Sequence, residues 1–249
     1  MRLVRNFKIY AAFTVLAIAL ILGAIYVMAT VIHSNHSELS KIRENQTKEA
    51  QFLMSIPSFE TERQRLTLYV RDVIKEKWDS IYYRAGTYDR AYDIASVIME
   101  EAVKYPYAPA HETALFSAAV LSQESAFLDT LVSVVGAKGM PQFMPSTART
   151  IFRIVGMEYQ DSLLQNYRVS IRMQAVLLDI LHATYGGDRQ LMLADYHGGP
   201  WQVYYYKTKS PKLDPVTTKY VPEVMGRYKK YLDTYKTYKA KLGHQMEAL

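Results

Sequence analysis

The sequence contains no cysteine. Disulfide bonds, thiol nucleophiles and cysteine metal sites are therefore excluded, although exported proteins also lack cysteine often enough that this does not locate the chain. Alternating apolar and polar runs, the signature of half-buried strands, are missing as well, which argues against a β-rich fold. There is no phosphate-binding glycine loop and no nucleophile elbow. The six histidines do not cluster at metal-ligand spacing; His33 and His36 lie in a polar stretch that makes a poor site. No metal and no cofactor is expected. The net charge of +6 comes without any nucleic-acid motif, so it suits an anionic surface, phospholipid or an acidic wall polymer, better than nucleic acid.

What is present is a chain of 249 residues, 49% hydrophobic, with 21 tyrosines against 8 phenylalanines. That length holds one ordinary domain plus appendages, and that hydrophobic content supports a real core. Excess tyrosine suits surfaces that are both apolar and hydrogen-bonding, as sugar-binding clefts are. From Ile9 to Ile32 there is no charged residue. As a helix this stretch reaches roughly 36 Å at about 1.5 Å per residue, enough to cross a hydrocarbon core of about 30 Å. Arg2, Arg5 and Lys8 precede it, the first charge after it is Glu38, and Tyr10 and Tyr26 lie near its ends. The positive-inside rule predicts a single-pass inner-membrane protein with its N-terminus in the cytoplasm and the rest facing the periplasm or cell wall. The alternative is a cleaved signal peptide with Val27-Met28-Ala29 near the cleavage site, for which the apolar run is long.

The expected organisation is a cytoplasmic tip and anchor at 1–33, a polar stalk at 34–58, a helical lead-in at 59–87, a catalytic domain at 88–226 and a basic, tyrosine-striped helix at 227–249. Periodicity predicts helices over about 59–78 (Ser58 as cap), from Asp89 as cap to Tyr105-Pro106, from Pro109 to about Phe127, over 145–155 with Gly156 as stop, over about 169–185 ending at Gly186-Gly187, and from Asp188 as cap to Tyr196. The fold class is all-α. In the last segment Tyr228, Tyr231, Tyr235 and Tyr238 share one helix face, which either packs on the domain or meets a partner or glycan. Tyr204-Tyr205-Tyr206 either extends a sugar-stacking wall or packs inside.

The chemistry concentrates in QESAFLDTLVSVVGAKGMPQFMPSTA, residues 123–148. Glu124 follows Val120 and Leu121 on an apolar helix face. Burial there disfavours ionisation and suits a general acid. Gly136, Ala137 and Gly139 permit close backbone approach where a polymer or catalytic group must fit, and Ser133 and Gln142 supply hydrogen-bonding side chains beside it. The segment resembles the lytic transglycosylase family, the SLT-type domain related to goose-type lysozyme. Glu124, Ser125, Phe127, Ser133, Gly136, Ala137, Gly139, Gln142, Met144, Pro145, Thr147 and Ala148 all stand in register with its pattern. Ala194-Asp195-Tyr196-His197-Gly198-Gly199-Pro200 resembles the family's AAYNAGP element, and Thr217-Thr218-Lys219-Tyr220-Val221 its ETRxYV element. The likeness covers about residues 88–226.

The resemblance implies a lysozyme-like fold and peptidoglycan glycan strands as substrate, with Glu124 cleaving the β-1,4 bond between N-acetylmuramic acid and N-acetylglucosamine to leave a 1,6-anhydro end. It further implies that Ser133 and Gln142 orient glutamate or substrate, that Tyr196 and His197 line the sugar site, and that Tyr220 hydrogen-bonds Glu124. The chain departs from the pattern at Pro141 (methionine in the family), His197 (asparagine), Val216 (glutamate) and Thr218 (arginine), and at Ser170 and Gln174. Two other readings stand beside this one. A water-using muramidase on the same fold would need a second acid, with Asp129 and Asp195 as candidates. A wall-binding or scaffold component of an envelope machine would have only vestigial activity.

Overall fold

The structure, a computed structural model, describes residues 57–83, 86–105 and 107–247, with side chains from 62 to 240. The expected anchor and nearly all of the expected stalk lie outside the described residues. No described helix is long and apolar enough to cross a membrane. The described residues form eight α-helices and one 3-10 helix, all within one compact unit, with isolated bridges in place of strands.

Helix α1 (Pro57–Ser80) leads into α2 (Tyr88–Lys104) and α3 (Ala110–Glu124). Ser58 is a helical residue of α1, and the cap of α2 is Thr87, whose side chain accepts from the Arg90 amide; Asp89 sits in the first turn. Thr87 stands just before the first helical residue, where its hydroxyl reaches the orphan Arg90 amide, whereas Asp89 is already inside the helix. Pro109 is the N-cap of α3, ahead of the first turn. The sequence of α3 is apolar or small on every side, so it is the central helix: all residues from Thr113 to Ser122 are buried. It packs against α1, α2, α5 and α8.

Helix α3 stops at Glu124, three residues before the expected end. Ala126 and Phe127 turn left-handed, at φ 53° and 62°, conformations that cost non-glycine residues on the order of 1 kcal/mol each. The turn is held by what it buries. Phe127 is 1% exposed in the main core, and the indole Nε1 of Trp78 donates to the Ala126 carbonyl at 3.0 Å.

Past the site loop come α4 (Pro145–Ile154), the 3-10 helix Asp161–Gln165, α5 (Tyr167–Tyr185), α6 (Arg189–Gly198), α7 (Pro200–Thr208) and α8 (Pro215–Glu247). Asn166 caps α5, accepting from the Arg168 and Val169 amides, so this helix starts two residues before the expected Val169. Asp188 caps α6 as anticipated, accepting from Gln190 and Leu191. A second core cluster (Phe143, Ala148, Ile151, Phe152, Leu164, Met173, Val176) lies under α4 and α5. The candidate site opens between the two clusters.

Helix α8 is continuous, so the expected boundary near residue 226 falls inside one helix. Its tyrosine stripe packs inward: Tyr228, Tyr231 and Tyr235 belong to the main core together with Leu66, Val70, Ile74 and Trp78 of the lead-in helix. Tyr69 donates to the Tyr231 carbonyl at 3.0 Å, and Tyr235 donates to Glu62 at 2.9 Å. The lead-in helix and the C-terminal helix thus share one core with the central α3.

Candidate active site

Glu124 is the last residue of α3 and opens onto a cavity of about 670 Å3. The Tyr220 hydroxyl donates to its Oε1. That is the side chain's one hydrogen bond among the described residues. Burial pushes the carboxyl up from 4.5 to about 7, and the Tyr220 bond, which favours the anion, offsets part of that rise. Near neutral pH a large share of Glu124 therefore carries a proton. With Oε1 taken by a donor, that proton belongs on Oε2.

Tyr220 comes from α8, where Thr217, Tyr220, Val221, Val224 and Tyr228 form the buried face. Burial first, then the Glu124 charge, holds its phenol well above the usual value, so it stays a neutral donor. His197, at the end of α6, packs its ring on Tyr220 at 4.5 Å between centroids. Its Nδ1 lies 3.1 Å from the Thr217 hydroxyl. Burial lowers the imidazole below 6.5, so it is neutral at pH 7. His197 is thus built into the wall that positions Tyr220.

Tyr196 sits close enough to Glu124 to feel its charge, but its hydroxyl donates to the Pro141 carbonyl, at 2.9 Å. Gln174, fully buried beneath it, accepts from Ser117 at 2.6 Å and ties α5 to α3.

The loop between α3 and α4 folds on itself. Lys138 and Phe143 exchange both backbone hydrogen bonds around a four-residue turn, and the Gly139 amide donates to the Leu131 carbonyl at 3.0 Å. Ser133 closes the outer turn twice: its amide donates to the Ala137 carbonyl, and its hydroxyl accepts from the Ala137 amide, both at 2.9 Å. Gln142, at φ 50°, donates through Nε2 to the Gly139 and Leu131 carbonyls at 2.7 and 3.1 Å, which leaves Oε1 as an acceptor. Both residues line the cavity, and both hold the loop in shape; neither bonds Glu124. Pro141 costs the turn nothing, because the turn closes through the amides of Lys138, Gly139, Gln142 and Phe143.

Gly139 answers to packing rather than to a polymer or a catalytic group. It has φ +73°, and a Cβ there would lie 1.9 Å from the Leu164 carbonyl oxygen. Gly139→Ala is expected to destabilise the fold by about 1–3 kcal/mol, seen as a lowered thermal midpoint with the baseline circular dichroism unchanged.

Two acids weighed as second carboxylates have other partners. Asp129 pairs with Arg90, whose guanidinium stacks on Tyr167 at 4.0 Å. Asp195 lines the cavity but accepts from the Tyr185 hydroxyl. The remaining wall is largely apolar: Val135, Phe143, Met144, Leu177, Leu181 and Pro200. A shallower groove of about 370 Å3 continues from Ser146, Thr147 and Leu177 to Ile154 and Ile180. Leu177 and Leu181 were not singled out from sequence, although they continue the α5 face of Gln174 at helical spacing. The Thr217 contact had no local signal, since its partner lies on another helix.

Residues 104–219 match the family model described as the transglycosylase SLT domain. The match contains Glu124, Ser133, Gln142, Tyr196 and His197 and ends one residue before Tyr220. Among solved structures, an inactive mutant of the lytic transglycosylase Slt from Pseudomonas aeruginosa is 24% identical, with 66% of this chain and 30% of that one covered at a TM-score of 0.47. The 70 kDa soluble lytic transglycosylase from Escherichia coli is 20% identical, with 82% and 35% covered at 0.46. The 70-kDa soluble lytic transglycosylase in complex with bulgecin A is 20% identical, with 79% and 35% covered at 0.49. This chain therefore spans about a third of the length of those proteins.

Proposed function

We propose, on the premise that residues 104–219 are an SLT-type transglycosylase domain, that this protein is a peptidoglycan lytic transglycosylase. It breaks the β-1,4 bond between N-acetylmuramic acid and N-acetylglucosamine without water and leaves a 1,6-anhydro end. The observation that carries this reading is the Glu124 carboxyl, largely buried and raised to about 7, in a cleft whose other carboxylate, Asp195, is bonded to Tyr185.

In the proposed reaction Glu124 gives its proton to the bridging oxygen as the bond to C1 breaks. The resulting carboxylate, held by Tyr220, faces positive charge developing at the sugar. It then takes the proton of the muramoyl C6 hydroxyl, whose oxygen closes on C1. The proton count returns to its start, and no second carboxylate is needed. Ordinary two-carboxylate glycosidases use one acid and a second group that activates water or forms a covalent bond.

Mass spectrometry of fragments released from peptidoglycan by the full-length protein tests this. Anhydro ends are expected. Reducing ends would mean a muramidase, and binding without release would mean a wall-binding component. Asp129→Asn and Asp195→Asn are each expected to keep the anhydro product and to lose less than about tenfold in rate. A loss in either near the 10²–10⁴-fold typical of an essential acid or base would restore a two-acid mechanism.

The chain is further proposed to sit in the inner membrane as a single-pass protein with its catalytic domain outside. The support is the uncharged 9–32 stretch behind Arg2, Arg5 and Lys8. Such a tether would confine cleavage to glycan near the membrane, as recruitment by an envelope machine would require. Membrane fractionation with N-terminal sequencing of the mature protein tests it; a chain that starts near residue 30 would point to a cleaved signal.

A further inference from the structure

Helix α7 is unusual in how little it buries: of its nine residues only Val203 is buried. Trp201 is 72% exposed and Tyr204 58%. They are three residues apart, so they lie on one side of the helix about 4.5 Å apart along its axis. The Tyr205 ring meets that of Tyr204 edge-on at 5.7 Å.

The helix is nonetheless firmly placed. The Tyr206 hydroxyl donates to Gln190 at 2.8 Å, and Gln202 accepts from the Asp214 amide at 2.9 Å. At the end of α6, Gly198 packs so closely on Gln202 of α7 that a Cβ would come within 2.3 Å of it. Gly199 and Pro200, immediately before Trp201, line the Glu124 cavity. The aromatic face therefore begins where the cleft ends.

Lys207, Lys209 and Lys212 follow, all exposed, and none forms an ion pair among the described residues. The nearest acid in sequence, Asp214, is occupied at the start of α8, where its carboxylate accepts from the Val216 amide at 3.0 Å. Two exposed aromatic rings on a rigid support, continuous with a cleft and followed by three unpaired ammonium groups, match a polymer with flat apolar ring faces and acidic substituents.

We infer that the Trp201–Tyr204 face of α7 with Lys207, Lys209 and Lys212 is an outer docking platform for peptide-bearing glycan, extending the Glu124 cleft beyond its closed part. This rests on the peptidoglycan reading above. Sugar rings stack on the indole and phenol faces, and carboxylates of the attached peptides pair with the lysines. A phospholipid surface would also accept aromatic and lysine side chains. Continuity with the cleft favours the glycan.

Trp201 makes the test direct, because the chain has two tryptophans and the other, Trp78, is 1% exposed. Full-length protein carrying Glu124→Gln, held in detergent micelles, is titrated with peptide-bearing glycan chains long enough to pass the cleft and with a disaccharide-peptide. Long chains are expected to shield Trp201 from iodide quenching; the short ligand is not. Trp201→Ala with Tyr204→Ala is expected to weaken long-chain binding about tenfold, which is about 1.4 kcal/mol, and to abolish the length preference. Lys207, Lys209 and Lys212 changed together to glutamine should weaken peptide-bearing chains more than peptide-free ones. Unchanged quenching with long chain bound, or equal affinity in the aromatic variant, overturns the platform. So does shielding of Trp201 by anionic phospholipid nanodiscs but not by glycan. Failure of the underlying reading is separately visible as absence of anhydro ends from the unmutated protein.

Discussion

Glu124→Gln is expected to reduce release of glycan fragments from peptidoglycan by about 10³-fold or more, at the strong end of what general acid–base catalysis contributes. Glutamine keeps the shape of the side chain, and its carbonyl oxygen still accepts from Tyr220, so the fold and glycan binding should survive. The same variant has an opposite effect on stability. The folded carboxyl is raised from 4.5 to about 7, so between those values the folded state holds a proton that the unfolded state has lost. The unfolded state binds fewer protons, and stability therefore falls as pH rises from about 4.5 through 7. One pKa unit is about 1.4 kcal/mol, which bounds the cost at about 3.5 kcal/mol, and access of the cleft to solvent reduces it. Glutamine cannot ionise and escapes this cost. Its thermal midpoint should exceed that of the unmutated protein at pH 8 and match it at pH 4. Retained cleavage would remove Glu124 from the mechanism. Equal midpoints at pH 8 would show that its carboxyl is not raised by burial.

Tyr220→Phe should slow cleavage about 10²-fold, the scale for removing one donor aimed at charge that develops during reaction. The phenol donates to Oε1 of Glu124 and favours its anion. Phenylalanine keeps the ring that packs on His197 but deletes that bond. The carboxyl must then rise further above about 7, so the alkaline limb of the pH–rate profile moves up while the plateau falls. These directions differ because the acid stays protonated to higher pH while giving up its proton becomes harder, since the anion that forms is less stable. A merely structural tyrosine would lower the amount of folded enzyme at every pH and leave the limb in place. An unmoved limb would therefore sink the assignment of Tyr220 as the partner of Glu124.

The helical content and the burial of Glu124 were legible because they rest on short-range pattern. An apolar helix carrying a glutamate near its end, followed by a small-residue loop, is written in about two dozen consecutive residues. Where α3 ends was not legible. Nothing local announces that Ala126 and Phe127 adopt positive φ; the reward for that strain is the burial of Phe127 and the Trp78 bond, 48 residues away in sequence. Gly139 illustrates the same limit. Its presence signals close approach, but the atom it makes room for belongs to Leu164. Nor does anything near Pro141 announce that its carbonyl receives the Tyr196 hydroxyl, 55 residues on.

By itself, then, the sequence determined the helical character of the described residues, a glutamate placed on a buried helix face, tyrosine blocks downstream of it and an uncharged stretch ahead of it, because periodicity, capping residues and motif spacing act over a few turns of helix. Only the tertiary structure decided how that acid is tuned and what stands around it. A proton's affinity depends on the solvent removed and the donors brought within a few ångströms. Those come from α8, which carries Tyr220 ninety-six residues after Glu124, while Asp129 and Asp195 meet Arg90 and Tyr185 instead. Such long-range encounters are set by how the helices pack around α3, and no local stretch of chain encodes them.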